Sequence, residues 1–219
     1  MLTVATDSIF LTGLIDAKEL RAKAILDIAN AFLHAENDEK ILMLLPGRLA
    51  KMMVQVNPAM YRKYVTYSPN GQAMILYVRL SKALYGMLRA ALLFYKRLRS
   101  DLDNMGFEVN PYDPCVANKM VNGHQMTVCW HVDDLKVSHK EESAVTALAM
   151  KLSKLYGSKT TICRGKVHEY LGMDMDWVTE PGTIIVSVIK YLYKVIEEFP
   201  GVIKGTRSSP AGEHIFNMR

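Results

Sequence analysis

Apolar and polar positions along this chain switch between a helical and an alternating rhythm, and the switches outline its elements. Ser8 to Leu20 reads as an amphipathic helix. Ala24 to Leu26 is an apolar run that stops at Asp27, as a buried strand does on reaching the end of a sheet. Glu36 to Gly71 holds most of the prolines of the first half and reads as a loop-rich region, before a strand over Met74 to Leu80. From Ala83 the positions Leu84, Met87, Leu88, Ala91, Tyr95, Leu98 and Leu102 keep helical spacing, and Gly106 stops the helix. Cys115 to Met120, the turn Val121-Asn122-Gly123 and Gln125 to Val132 predict a hairpin, followed by a third strand to Ser138.

Val145, Leu148, Ala149, Leu152 and Leu155 mark a second helix, ended by Gly157. Strands are expected at about Tyr170 to Val178 and Thr183 to Val188, joined by Pro181-Gly182, and a last helix from about Lys190 to Phe199. Strand, helix, hairpin, helix, strand is the order of a split βαβ unit: an α+β fold with two helices on one face of an antiparallel sheet. The chain has no internal repeats and no low-complexity segment.

One apolar hairpin is interrupted by charge. Thr127 to Val132 runs into Asp133-Asp134, and Leu135 to Val137 leaves it, which predicts two strands joined by a turn made of carboxylates. Two unit charges about 4 Å apart repel by roughly 4 kcal/mol at an effective dielectric near 20, and a divalent cation would reverse the sign. An isolated Asp-Asp is usually a solvated acidic turn. Here a third carboxylate, Asp27, ends a strand, and Phe32 follows it. If the two strands are neighbours, three carboxylates converge and can hold two magnesium ions about 3.5–4 Å apart, the arrangement used for in-line phosphoryl transfer.

Composition narrows the partners only a little. Of 219 residues 50% are hydrophobic and 22% charged, as in a folded protein of one domain. The net charge of +5 favours a polyanionic partner. Basic residues gather in Tyr61 to Tyr64, Lys96 to Arg99 and Lys151 to Lys166, each of which also reads as a solvated face. Cys115, Cys129 and Cys163 have no paired spacing and read as small core residues in a reducing compartment, neither a disulfide frame nor a zinc site. The histidines other than His131, His214 among them, read as structural or solvated. No apolar run reaches the roughly 18 residues of a membrane span, and the opening segment is not a signal peptide.

The motifs together resemble a family. Asp27-Ile28-Ala29-Asn30-Ala31-Phe32 is similar to the first palm motif of reverse transcriptases, and His131-Val132-Asp133-Asp134 to their catalytic hairpin. Leu84-Tyr85-Gly86, Tyr112-Asp113-Pro114-Cys115 and Leu171-Gly172-Met173 narrow the resemblance to the copia type of LTR retrotransposon. It runs from about Thr3 to Ala211, closing on Ser208-Ser209-Pro210-Ala211.

The resemblance implies an RNA-directed DNA polymerase with Asp27, Asp133 and Asp134 catalytic, and with two Mg2+ ions, or Mn2+ in their place, on these carboxylates and the Ile28 carbonyl. Ala29, Asn30, Ala31 and Phe32 would meet the incoming deoxynucleotide. The Phe32 ring would exclude a 2′-hydroxyl; it also reads as a core phenylalanine. His131 and Val132, with Leu171, Gly172 and Met173, would hold the primer. His131 stands where the family usually has tyrosine, and Arg89 where it has glutamine. Arg89 reads two ways, as a partner for a nucleotide phosphate and as a helix-surface charge.

The chain is expected to be one reverse transcriptase core. About 1–25 and 36–80 would be fingers-side elements, about 24–35 and 81–178 the palm, and about 179–219 the primer grip and the start of a thumb. The resemblance makes it a piece of a polyprotein whose other segments are integrase and RNase H. The fingers strands upstream would then be missing, and the piece alone would polymerise little. Its partners would be primed RNA or DNA template and deoxynucleoside triphosphates, with no membrane, in a cytoplasmic particle or the nucleus. The alternative is a decayed, non-catalytic palm that still binds nucleic acid.

Overall fold

The computed structural model describes residues 3–157, 159–165, 167–178, 181–201 and 205. The expected closing motif at 208–211 and His214 lie outside the described residues.

Helix α1 (Thr6–Lys18) leads into β1 (Ala22–Asp27) and a single 3-10 turn, Ala31–His34. Next come β2 (Leu42–Pro46), α2 (Gly47–Val56), α3 (Pro58–Tyr61), β3 (Val65–Tyr67) and β4 (Met74–Arg79). After α4 (Ala90–Asn104) the chain forms β5 (Glu108–Val109), β6 (Val116–Val121), β7 (His124–His131) and β8 (Asp134–His139). Then follow α5 (Glu142–Tyr156), β9 (Thr161–Cys163), β10 (Val167–Tyr170), β11 (Met173–Asp176), β12 (Ile185–Ser187) and α6 (Ile189–Glu198).

A six-stranded sheet in the order β5-β6-β7-β8-β1-β9 forms the centre, and its paired strands are antiparallel. One face carries Ala24, Leu26, Val128, Trp130, Leu135 and Val137, nearly all fully buried, and packs against α4 and α5. The opposite face is covered by α1, whose Thr12 and Asp16 meet Cys129 and Lys136. Helices thus lie on both faces, where α4 and α5 on one face were expected; a helix ahead of β1 is outside the split βαβ pattern. A three-stranded sheet, β10-β11-β12, packs on α1 at Gly13. There a Cβ would meet the Ile184 methyl at 2.8 Å, and the Gly13 carbonyl accepts from the Trp177 indole at 2.9 Å.

Four further expectations need correcting. The stretch 36–71 is not mainly loop: it supplies β2, α2, α3 and β3, and β2 and β3 flank β4 in a third sheet. Its strands are short and its apolar side chains half exposed, so alternation was weak evidence there. Helix α4 starts at Ala90 rather than near Ala83, because Gly86 takes a positive φ of 93° and the chain turns at Met87. The strand expected over 170–178 is a tight hairpin: Leu171 and Gly172, both with positive φ, join β10 to β11. Cys163, expected in the core, is instead exposed, because β9 is an edge strand of the central sheet, while Cys115 and Cys129 are buried and unpaired.

Candidate active site

The sheet register assembles the carboxylates. Asp27 is the cross-strand partner of Asp134, and Asp134 is in turn opposite His131. These three side chains therefore stand on one face, in one row across β1, β8 and β7. The turn between β7 and β8 is Val132-Asp133, not the Asp-Asp pair, since Asp134 already belongs to the strand. Val132 holds φ at +58°, a conformation that a β-branched residue adopts only under strain. The Ile28 amide donates to the Asp133 carbonyl at 3.0 Å and so fastens the segment after Asp27 to the hairpin tip.

The electrostatics match acidic groups that act on one another, two of them half-buried. Burial, then Asp133 and then Asp27, push the Asp134 carboxyl up to about 6. Burial also raises Asp133, with Asp27 adding to it and His131 opposing it. Asp27 itself is exposed. Among the described residues no three His, Cys, Asp or Glu side chains close around one point as they would about a bound ion. The donors nevertheless suit a hard divalent cation: all are carboxylate oxygens, and their mutual repulsion is what such an ion relieves.

Around this row the other expected residues take definite places. Phe32 lies on the 3-10 turn, its ring against Tyr85 with centroids 4.4 Å apart, and its far side edge-on to Phe94 at 6.5 Å. A stack of this kind contributes about 0.5–1.5 kcal/mol beyond burial. Asn30 adopts a left-handed φ of 56°, and among the described residues the amides of Ala29 to Phe32 donate to no backbone carbonyl. Leu171, Gly172 and Met173 sit at the β10–β11 turn, and the adjoining Tyr170 phenol is buried, which raises its pKa. Arg89 is already engaged: its guanidinium bridges Asp38, at 2.9 Å, and Glu39. A hollow of about 810 Å³ lies elsewhere, on the β2-β4-β3 sheet, so size alone does not mark the site.

Two motifs did more than sequence reasoning assigned them. Tyr85 was a family signature without a role, yet its ring lies on Phe32, and burial, then the charges of Asp133 and Asp27, raise its pKa. Asp113 is buried and structural: its carboxylate accepts from the Ala5 and Cys115 amides, both at 2.9 Å, joining the start of α1 to β6. The available clue in sequence was an aspartate followed by proline at the start of a strand.

A row of carboxylates on an antiparallel sheet, with a strained hairpin tip and an aromatic ring near it, is an arrangement suited to divalent cations. The family described as reverse transcriptase (RNA-dependent DNA polymerase) matches residues 3–210, and the chain belongs to it. The chain is 24% identical over 191 residues to the retrovirus-related Pol polyprotein from transposon TNT 1-94 of Nicotiana tabacum, covering 87% of this chain and 13% of that relative. The copia-type resemblance is borne out. The chain spans about an eighth of the length of the curated relative it matches. Among the described residues no helix is long and apolar enough to cross a membrane.

Proposed function

We propose that this chain adds deoxynucleoside monophosphates to a primer 3′ end, copying an RNA or DNA template, as part of a retrotransposon polyprotein. The observation that carries the reading is the cross-strand pairing of Asp27 with Asp134 beside the Asp133 turn. Asp27, Asp133 and Asp134, with the Ile28 carbonyl, would hold two divalent ions, Mg2+ in the first place. When bound, such ions lower the pKa of the primer hydroxyl and neutralise the leaving pyrophosphate.

The protein's own groups do the placing. The free amides of Ala29 to Phe32 offer hydrogen bonds to triphosphate oxygens next to Asp27. Phe32 would face the sugar and leave no room for a 2′-hydroxyl. His131 and Val132, with the turn Leu171-Gly172-Met173, would support the primer terminus. In this reading 24–35 and 81–178 form the palm, 36–80 belongs to the fingers side, and 179 onwards begins the primer grip and thumb. Integrase and RNase H would be further segments of the same polyprotein, and the setting would be an intracellular particle or the nucleus.

Primer extension tests this directly. Magnesium-dependent incorporation is expected from the polyprotein polymerase that carries this chain, and little from the chain alone, with Asp133→Asn in the longer protein reducing it at least about a hundredfold, as expected for loss of a metal-binding group. Binding of primer–template by the same variant should be unchanged or tighter and should weaken steeply with salt, because counterion release dominates backbone contacts. Extension by Asp133→Asn at the wild-type rate would refute the assignment. Salt-sensitive binding with no extension by either protein would favour a non-catalytic remnant.

A further inference from the structure

Tyr85 is the aromatic side chain at the site to which the proposed chemistry gives no task. It stands in the connection between β4 and α4, where Gly86 reverses the chain and the Met87 amide donates to the Leu84 carbonyl at 3.2 Å. The ring is 53% exposed, so hydrophobic burial alone does not account for its position. It lies on Phe32 at 4.4 Å with the planes tilted by 48°. On the other side Phe32 meets Phe94, which is fully buried and backed by Tyr156 at 5.9 Å.

Phe32 is thus held between a fixed core ring and a half-exposed one. Its own backbone, a single 3-10 turn entered through a left-handed Asn30, constrains it little. Without Tyr85 the outer face of Phe32 would be open, and its ring could leave the plane that meets a sugar.

We infer that Tyr85 is a positioning residue for sugar selection: its ring fixes the plane of Phe32, from which Phe32 excludes a 2′-hydroxyl. This rests on the polymerase reading above. The ring carries the effect and the hydroxyl does not, so phenylalanine should substitute for it and leucine should not.

The test is an NMR titration of the chain, in Mg2+, with dATP and with ATP, for wild type, Tyr85→Phe and Tyr85→Leu. Amide spectra report that each variant is folded, and labelled phenylalanine reports the Phe32 ring. Wild type is expected to bind dATP several-fold more tightly than ATP, and Tyr85→Phe to keep that ratio. Tyr85→Leu should bring the ratio to parity, chiefly by tightening ATP. A residue with a merely structural role would weaken both nucleotides together and leave the ratio alone. An unchanged ratio in Tyr85→Leu, with the Phe32 resonances shifted, would overturn the inference while leaving the polymerase reading intact. No preference in wild type would overturn the inference and the sugar role of Phe32, while the polymerase reading stands or falls by primer extension.

Discussion

Two groups of charges share one face of the central sheet, and the fold treats them in opposite ways. Lys136 and Asp16 are each 1% exposed and pair directly, closing α1 onto β8. Two residues along the same strand, Asp134 stands among Asp27 and Asp133, and among the described residues no ion pair with a lysine or arginine meets these three. A buried opposite-charge pair adds little net stability, since desolvation consumes most of the attraction, but it fixes which surfaces meet. Like charges left together destabilise the folded state and persist where a ligand resolves them. Compensation separates the two: the paired charges build the scaffold, and the unpaired ones are the candidate chemistry.

The largest expected effect comes from breaking the compensated side. Lys136→Met leaves Asp16 buried without a partner and should destabilise the chain by about 3–5 kcal/mol in urea unfolding. Replacing both, Asp16→Leu with Lys136→Met, should recover most of that loss. A double variant as unstable as the single one would mean that the pair contributes through packing rather than charge.

The carboxylate side should respond with the reverse sign. A carboxyl raised to about 6 in the folded chain, from 3.8, binds its proton more tightly there than in the unfolded chain. Its stabilising contribution is therefore complete below about pH 3.8 and lost as the pH rises through about 6. Asp134→Asn removes the penalty above that range. Discounted for its partial exposure, the gain should be about 1–2 kcal/mol at pH 8 and should vanish near pH 4. Melting curves at the two pH values check it, and a variant less stable than wild type at pH 8 would show that Asp134 is already compensated.

The same contrast explains what could be read without coordinates. Asp27 and Asp133-Asp134 interrupt apolar runs, and an interruption of a buried pattern is visible in a single line of sequence. Their partnership followed once β1 and β8 were taken as neighbours. Lys136 and Asp16 were not legible: each resembles a surface residue on an amphipathic element, and nothing local says that the two meet. The turn was misplaced by one residue because Val132 adopts a positive φ that its side chain disfavours, and tertiary hydrogen bonding from Ile28 overrides that preference. Tyr85 was missed for a related reason, since its importance lies in contact with Phe32 across the chain and not in its neighbours.

Adding a divalent cation should sharpen the comparison by a smaller amount. Mg2+ binds only the folded chain in this reading, and at about three times its dissociation constant it should add about 0.8 kcal/mol. Asp134→Asn should lose this increment, whereas Lys136→Met, though less stable, should keep it. Thermal melts with and without Mg2+ decide the matter; an equal increment in wild type and Asp134→Asn would place the ion elsewhere.

The smallest effect is expected at Arg89, where charge is compensated but exposed. Its guanidinium bridges Asp38 and Glu39, and nearby Lys82 pairs with Glu36, so this segment is tied to the start of α4 by surface contacts. Such contacts are screened by solvent and salt and contribute little to stability. They also leave the guanidinium occupied, and a triphosphate would have to displace two carboxylates to use it. Arg89→Ala should therefore leave the melting temperature and the deoxynucleotide concentration for half-maximal primer extension at wild-type values. A rise of about threefold or more in that concentration, with the melting temperature unmoved, would show that Arg89 exchanges its carboxylates for phosphate, because a charge-assisted bidentate contact is strong enough to win that exchange.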